Sequence, residues 1–165
     1  MSLIGVHLTP RISHRNLPQR LLKAREALMA HFRPILHRYG LTDQQWRILR
    51  VLDEHAQLEP RELCSLCQIH SASMTGMLAR MEELGLVERQ RVPGDQRRVL
   101  IRLATKGDQL VREMAPLIDL QYQHIEQALG APLLDELLQA LEAFLAVQHQ
   151  PIQAVQWPLK EVPTA

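Results

Sequence analysis

The stretch Val87–Leu103, VERQRVPGDQRRVLIRL, gathers five arginines around a Pro-Gly-Asp turn. After the turn, Val99, Ile101 and Leu103 alternate with Arg98, Leu100 and Arg102, the period-two pattern of a half-buried strand. The segment before the turn is long enough to pair with this strand. The stretch therefore predicts a β-hairpin whose loop is PGDQR.

The sequence before the hairpin has helical periodicity. Apolar residues recur every three or four positions from Leu17 to Tyr39, and Gly40 is a typical helix terminator. Pro34 lies inside this pattern and removes one backbone donor, so we expect a kink there. A long amphipathic first helix is therefore predicted.

Three shorter helices are predicted between this helix and the hairpin. Thr42 and Gln45 form a capping-box pattern at the start of the first, and Pro60 suits the first turn of the second. The third runs through SASMTGMLARMEELGL and is expected to be capped by Ser71 or Ser73. Inward-facing positions of the second helix are predicted to be Leu63, Leu66 and Ile69.

Two long helices are predicted after the hairpin. The first carries an apolar stripe from Leu110 to Leu129 that Pro116 interrupts, and the sequence GAP at 130–132 ends it and starts the second. The apolar stripes at residues 17–39 and 106–148 are too long and too apolar for one small domain to bury, which favours dimerisation.

A helix-turn-helix followed by a hairpin is a winged helix. The predicted fold is therefore mainly α with a small β-hairpin wing, a winged helix-turn-helix joined to a helical dimerisation region. The expected divisions are a flexible N-terminal arm, a dimerisation helix, the DNA-binding domain, two dimerisation helices and an extended tail, at residues 1–16, 17–40, 41–104, 105–150 and 151–165.

The second helix of a helix-turn-helix enters the major groove of DNA. Its non-core positions here are small or hydroxylated, apart from one arginine, and allow close approach to a duplex. An arginine at a hairpin tip can enter a narrow minor groove. The candidate DNA-binding residues are Ser71, Ser73, Thr75, Gly76, Arg80, Asp95, Arg97 and Arg98. The alternative for the hydroxylated residues is helix capping or simple surface placement. The alternative for Arg80 is a salt bridge to Glu83.

Two motifs resemble the MarR family of regulators. DQRRVLIRLAT resembles the wing signature of that family, and SMTGMLARMEELGLVER resembles its recognition helix and first wing strand. The resemblance extends from Leu17 to Gln148. REALMAHFRPILHRYGLTDQQWRILRVL, from Arg25 to Leu52, further resembles the subgroup that represses homoprotocatechuate and related aromatic-acid degradation operons.

The resemblance implies a homodimeric repressor in which each chain places one winged helix on half of a palindromic operator in double-stranded DNA. Arg97 would insert into the minor groove, and Asp95 would orient the wing arginines. Arg98 and Arg102 would meet phosphates or solvent.

Repressors of this kind respond to small aromatic acids. Such a ligand needs an apolar slot and a cation for its carboxylate. The candidate ligand-binding residues lie near the junction of the first two helices and at the turn before the recognition helix: Met29, Phe32, Arg33, Trp46, Arg50 and His70. The alternative is that the aromatic residues belong to the core and the arginines to the surface. The direction of the response, release from DNA, is implied by resemblance only.

Other functions have weaker support in the sequence. Cys64 and Cys67 are three positions apart, so a thiol-based redox regulator is an alternative, beside a simple role as buried thiols. A zinc site needs four ligands, and neither a second cysteine pair nor tightly spaced histidines accompany them, so no metal is predicted. No phosphate loop, dinucleotide fingerprint or nucleophile motif points to an enzyme or a cofactor.

The bulk composition limits the possible partners. A formal net charge of +1 argues against binding nucleic acid by overall charge, but it allows a local basic patch. The N-terminus lacks the apolar run of a signal peptide, and no run of about 18 apolar residues appears. A cytoplasmic protein without a membrane partner is expected.

Overall fold

The structure, a computed structural model, describes residues 12–92 and 94–155, without the side chains of residues 92, 96 and 97. Most of the predicted N-terminal arm and of the predicted tail therefore lies outside the described residues. The helices are α1 (Leu17–Arg38), α2 (Asp43–His55), α3 (Pro60–Cys67), α4 (Ser71–Glu83), α5 (Thr105–Leu129) and α6 (Ala131–Ala146). The strands are β1 (Gln57–Leu58), β2 (Val87–Val92) and β3 (Asp95–Leu103).

The predicted helix starts are confirmed in α2 and α3. The Gln45 amide donates to Thr42 Oγ1 at 3.2 Å, and the Thr42 amide donates to Gln45 Oε1 at 2.9 Å. Pro60 is the first residue of α3. The predicted serine cap of α4 is wrong, because His70 occupies the cap position without a side-chain hydrogen bond. The carbonyl of His70 instead accepts from the amides of Ser73 and Met74, each at 3.0 Å.

The inward face of α3 differs in one position from the prediction. Leu63 and Ile69 are buried, but Leu66 is 48% exposed, and Cys67 is buried instead. Leu63 and Cys67 are four residues apart, so they share one face of the short helix.

The predicted hairpin forms the larger part of a three-stranded antiparallel sheet of order β1-β3-β2. Arg91 pairs with Val99, and the register shifts between Arg91 and Val92. Because β3 begins at Asp95, the loop is shorter than PGDQR, and the backbone of residues 95–97 belongs to the strand. Strand β1 was not predicted, since two residues carry no periodic signal.

The core of the winged helix is aliphatic and contains sulfur-bearing side chains. Its fully buried members come from α1 to α4, from the sheet and from the first half of α5: Leu36, Ile48, Leu49, Leu52, Leu63, Cys67, Met74, Leu78, Met81, Val87, Ile101 and Met114. A side chain at Gly107 in α5 would collide with the backbone of Leu86, so this glycine lets the helix lie directly against the residue that precedes β2. Pro116 lies inside α5, which continues through it.

The chain divides within α5, with one compact unit ending at Tyr122 and a second beginning at Gln123. In the second unit α6 has no buried residue. Its exposed large apolar side chains are Leu133, Leu137, Leu138, Phe144 and Leu145. Such a surface is unusual for a chain that stays alone in water. Among the described residues, none of the helices is sufficiently long and apolar to span a bilayer.

Candidate DNA-binding surface and effector cavity

Most of the wing arginines are held by acids. Arg98 Nε donates to Glu59 Oε1 at 2.6 Å, which raises the pKa of the Arg98 guanidinium above its usual value. Arg102 pairs with Glu88, and Arg89 Nε lies 3.0 Å from Glu82 Oε2. These contacts hold the three guanidinium groups in place, and all three arginine side chains stay exposed to solvent.

The remaining two wing arginines are Arg91 and Arg97. Arg91 is exposed, and no acidic side chain in the described part of the chain forms an ion pair with it. Arg97, the predicted minor-groove residue, has its backbone in β3, while its side chain lies outside the described atoms. Asp95, the first residue of β3, is exposed.

The predicted DNA-contacting positions of α4 are all exposed. Ser73, Gly76 and Arg80 line a groove of about 450 Å³ between α4 and the first turn of α2. Ser71 and Thr75 lie on the other flank of the exposed surface by helical spacing, and Thr75 Oγ1 donates to the Ser71 carbonyl at 3.4 Å. No acid pairs with Arg80 among the residues that the structure describes, so the alternative ion pair with Glu83 does not form there.

A cavity of about 140 Å³ lies between α1, α2 and the residues of α5 just past its midpoint. Its aromatic walls are Phe32, Trp46 and Tyr122, and the rings of Phe32 and Tyr122 lie 4.7 Å apart, centroid to centroid, at 50°. A cavity of about 150 Å³ holds a benzene molecule in another protein, so the volume suits one aromatic ring. The remaining lining residues are Arg25, Met29, Asp43, Arg47, Arg50 and Ile118.

Basic side chains outnumber acidic ones in the lining of the cavity, although Arg25 and Arg50 have acidic partners just outside it, Glu26 and Glu54. Three arginines line it against one aspartate, and that aspartate is already paired: Arg33 donates to Asp43 Oδ2 from Nε at 3.1 Å and from Nη2 at 2.9 Å. These hydrogen bonds raise the pKa of Arg33 above its usual value. Arg33 also pairs with Glu26, and this contact holds the pKa of that carboxyl below its usual value.

The structure brings four of the six predicted ligand-binding residues together, because Met29, Phe32, Trp46 and Arg50 all line the cavity. Arg33 is outside the lining and forms an ion pair with Asp43, which is part of it. His70 is also outside the lining, at the cap of α4. Sequence reasoning missed several lining residues, although Asp43 and Arg47 lie within one turn of Trp46 and Arg50, a spacing that points to them.

Three comparisons with known proteins bear on this arrangement. A model described as "MarR family" matches residues 39–98. The homoprotocatechuate degradative operon repressor of Escherichia coli is 40% identical over 134 residues, which cover 81% of this chain and 90% of the repressor.

The chain belongs to the MarR family.

Two solved structures extend the match to the fold. NadR in complex with 4-hydroxyphenylacetate has a TM-score of 0.73 and 38% identity, covering 88% of this chain and all of NadR. A mutant of MarR from Escherichia coli, complexed with operator DNA, has a TM-score of 0.70 and 25% identity, covering 78% of this chain and 93% of that protein. The winged-helix fold is confirmed, and the protein is a MarR-family transcriptional repressor.

Both thiols of this MarR-family chain lie in α3, and the Cys67 thiol faces α2, since its Sγ lies 3.8 Å from the carbonyl oxygen of Arg47. Cys67 is buried, and burial raises the pKa of its thiol, so the reactive thiolate is disfavoured at neutral pH. Cys64 is partly exposed. No group of three or more histidine, cysteine or acidic side chains suited to a metal ion occurs among the residues the structure describes.

Proposed function

We propose that this repressor is a homodimer that binds a palindromic operator and is released from it by a small aromatic acid. The observation that carries the proposal is the presence, within the unit that ends at Tyr122, of an exposed recognition helix and an arginine-rich wing together with an apolar cavity lined by three arginines. The recognition helix and the wing suit a polyanion, and the cavity suits one small anion.

For DNA binding, α4 would enter the major groove and the wing would reach the adjacent minor groove. Support comes from the exposure of Ser73, Gly76 and Arg80 along one groove and from the exposed arginines of the hairpin. Arg97 and Arg91 are the wing residues assigned to direct DNA contact. The paired Arg98 and Arg102 would supply charge near phosphates.

For dimerisation, a palindromic site requires two recognition helices, and residues 17–40 and 105–150 would form the interface. The support is the exposed apolar surface of α6, where Leu138 is 57% exposed. Leu138→Asp is expected to convert dimers to monomers in analytical ultracentrifugation, with Gln139→Asp as the matched control on the same helix. A monomeric wild type, or a dimeric Leu138→Asp variant with normal operator affinity, would contradict this assignment.

For the effector, the ring of the acid would lie between Phe32, Trp46 and Tyr122, and its carboxylate would meet the lining arginines. The volume for one ring and the excess of cations support this class of ligand. The relatives add support, since one represses homoprotocatechuate degradation by name and another was crystallised with 4-hydroxyphenylacetate.

The test uses a labelled palindromic fragment from the promoter region of the protein's own gene. We expect fluorescence anisotropy to show binding of two chains per fragment and dissociation on addition of 3,4-dihydroxyphenylacetate or a related acid. An aliphatic acid of similar charge is the control and should have no effect. Unchanged operator binding across a panel of aromatic acids would overturn the effector assignment, and absence of operator binding would overturn the function itself.

A further inference from the structure

Arg47 connects the wall of the cavity to the end of α3. Arg47 is one of the residues that line the cavity, and its Nη1 donates to the carbonyl of Cys67 at 2.6 Å. The thiol of Cys67 in turn donates to the carbonyl of Arg47, with 3.8 Å between Sγ and O. The two residues are 20 positions apart in the chain, so this reciprocal pair ties α2 to the last residue of α3.

The Cys67 carbonyl lies where the turn of the helix-turn-helix begins. The amides of Gln68 and Ile69 close the end of α3 on the carbonyls of Ser65 and Cys64, at 3.3 and 3.1 Å, and leave the Cys67 carbonyl to Arg47. A cation at a helix C-terminus is favourable. Gln68 has φ 50° and ψ 50°, a left-handed conformation that disfavours a residue with a side chain. Arg47 therefore supports a turn that is unfavourable by itself.

The other lining arginines have stronger partners. Arg25 pairs with the carboxylate of Glu26, and Arg50 pairs with that of Glu54 at 3.2 Å while its Nη1 lies 3.4 Å from Tyr122 Oη. In the described part of the chain, the side-chain partner of Arg47 is a neutral carbonyl. Because a hydrogen bond to a carboxylate is stronger than one to a neutral acceptor, an acid in the cavity competes most effectively for Arg47.

We propose that Arg47 couples the cavity to the recognition helix. The carboxylate of a bound aromatic acid takes the Arg47 guanidinium from the Cys67 carbonyl, and the turn of residues 68–70 that orients α4 loses its support. This inference rests on the proposed effector and operator functions. It adds a positioning residue that touches the acid on one side and the base of the recognition helix on the other.

The test separates binding of the acid from its effect on DNA. In wild type, saturating 3,4-dihydroxyphenylacetate is expected to lower operator affinity by about 5- to 150-fold, the usual range for coupled sites. Arg47→Met lacks this support from the start, so its operator affinity without acid should already be lower than that of wild type. Calorimetry should still detect the acid, held by the remaining arginines, but addition of the acid should change the operator affinity of this variant by less than about twofold. Arg15→Met, which removes an exposed arginine outside the proposed dimer interface, the DNA-binding surface and the cavity, is the control and should respond like wild type.

A second measurement uses wild type alone and does not depend on how the variant folds. Addition of the acid should increase amide hydrogen exchange at residues 68–71. Bound operator should weaken binding of the acid, and the factor should equal the one by which the acid weakens operator binding. Unchanged exchange at these amides, or an Arg47→Met variant that binds the acid and releases operator as wild type does, would overturn the coupling role while the proposed function stands. Failure of wild type to bind any aromatic acid would overturn the effector assignment and this inference with it.

Discussion

The wing and the cavity both contain arginines, but the surroundings of those arginines differ. On the wing, Arg98 and Arg102 extend into solvent beside acids from neighbouring elements. In the cavity, Arg47 and Arg50 border an apolar slot next to the buried ring of Trp46. Cations in solvent suit a polyanion that offers many weak contacts, whereas cations beside an aromatic slot suit one small anion. One residue type therefore serves two partners in the proposed function.

The largest difference between the wing and the cavity is expected in the salt dependence of binding. A protein that makes six to ten phosphate contacts loses about a thousandfold or more in DNA affinity between 50 and 200 mM salt. Partly buried charges are screened much less, so we expect affinity for 3,4-dihydroxyphenylacetate to change by less than about threefold over the same range. Anisotropy with the operator and calorimetry with the acid measure the two slopes. If operator affinity and acid affinity depend equally on salt, the charges of the wing and of the cavity do not differ in their exposure to solvent.

Substitution within the wing should give the next largest effect. Arg97→Ala is expected to weaken operator binding by about 1–3 kcal/mol, roughly 5- to 150-fold, because a cation is lost from the minor groove. Arg102→Ala is the matched control, since it removes a wing arginine whose partner is Glu88, and it should cost less than about threefold. Both variants should bind the acid normally. If Arg97→Ala binds the operator like wild type, the assignment of Arg97 is wrong.

Oxidation should give the smallest effect. Because burial raises the pKa of the Cys67 thiol, little thiolate is available there, and hydrogen peroxide should change operator affinity by less than about twofold. Treatment of the oxidised sample with dithiothreitol is the control. A large loss of binding that a Cys64→Ser, Cys67→Ser double variant abolishes would instead support thiol-based regulation.

The sequence predicted those parts of the fold that have a strong local signal. The structure contains three of these predicted features: the capping box at Thr42, the proline at the start of α3 and the strand around Ile101. The wrong or missing predictions concern local alternatives that differ little in free energy. A cap by Ser71 competes with a chain path that begins α4 one residue earlier, and β1 is only two residues long.

The cavity was predictable in part. Residues Met29, Phe32, Trp46 and Arg50 were found because α1 and α2 are consecutive and their junction must bring these positions together. Ile118 and Tyr122 were not assigned to it, because periodicity identifies the apolar stripe of α5 but not which part of the stripe meets α2. The Arg47–Cys67 contact was also out of reach, since a side chain that caps a distant carbonyl leaves no sequence pattern.

In the proposed function, the cavity controls DNA binding by the wing and α4. Acid-induced release of the labelled operator from Arg50→Met tests this control, because the substitution removes a lining arginine and the contact with Tyr122. We expect operator affinity within about threefold of wild type, because Arg50 lies outside the DNA-binding surface. The acid concentration needed for release should rise at least about tenfold, the loss expected for one charge-assisted hydrogen bond. Release of Arg50→Met from the operator at the wild-type acid concentration would show that the cavity does not exert this control.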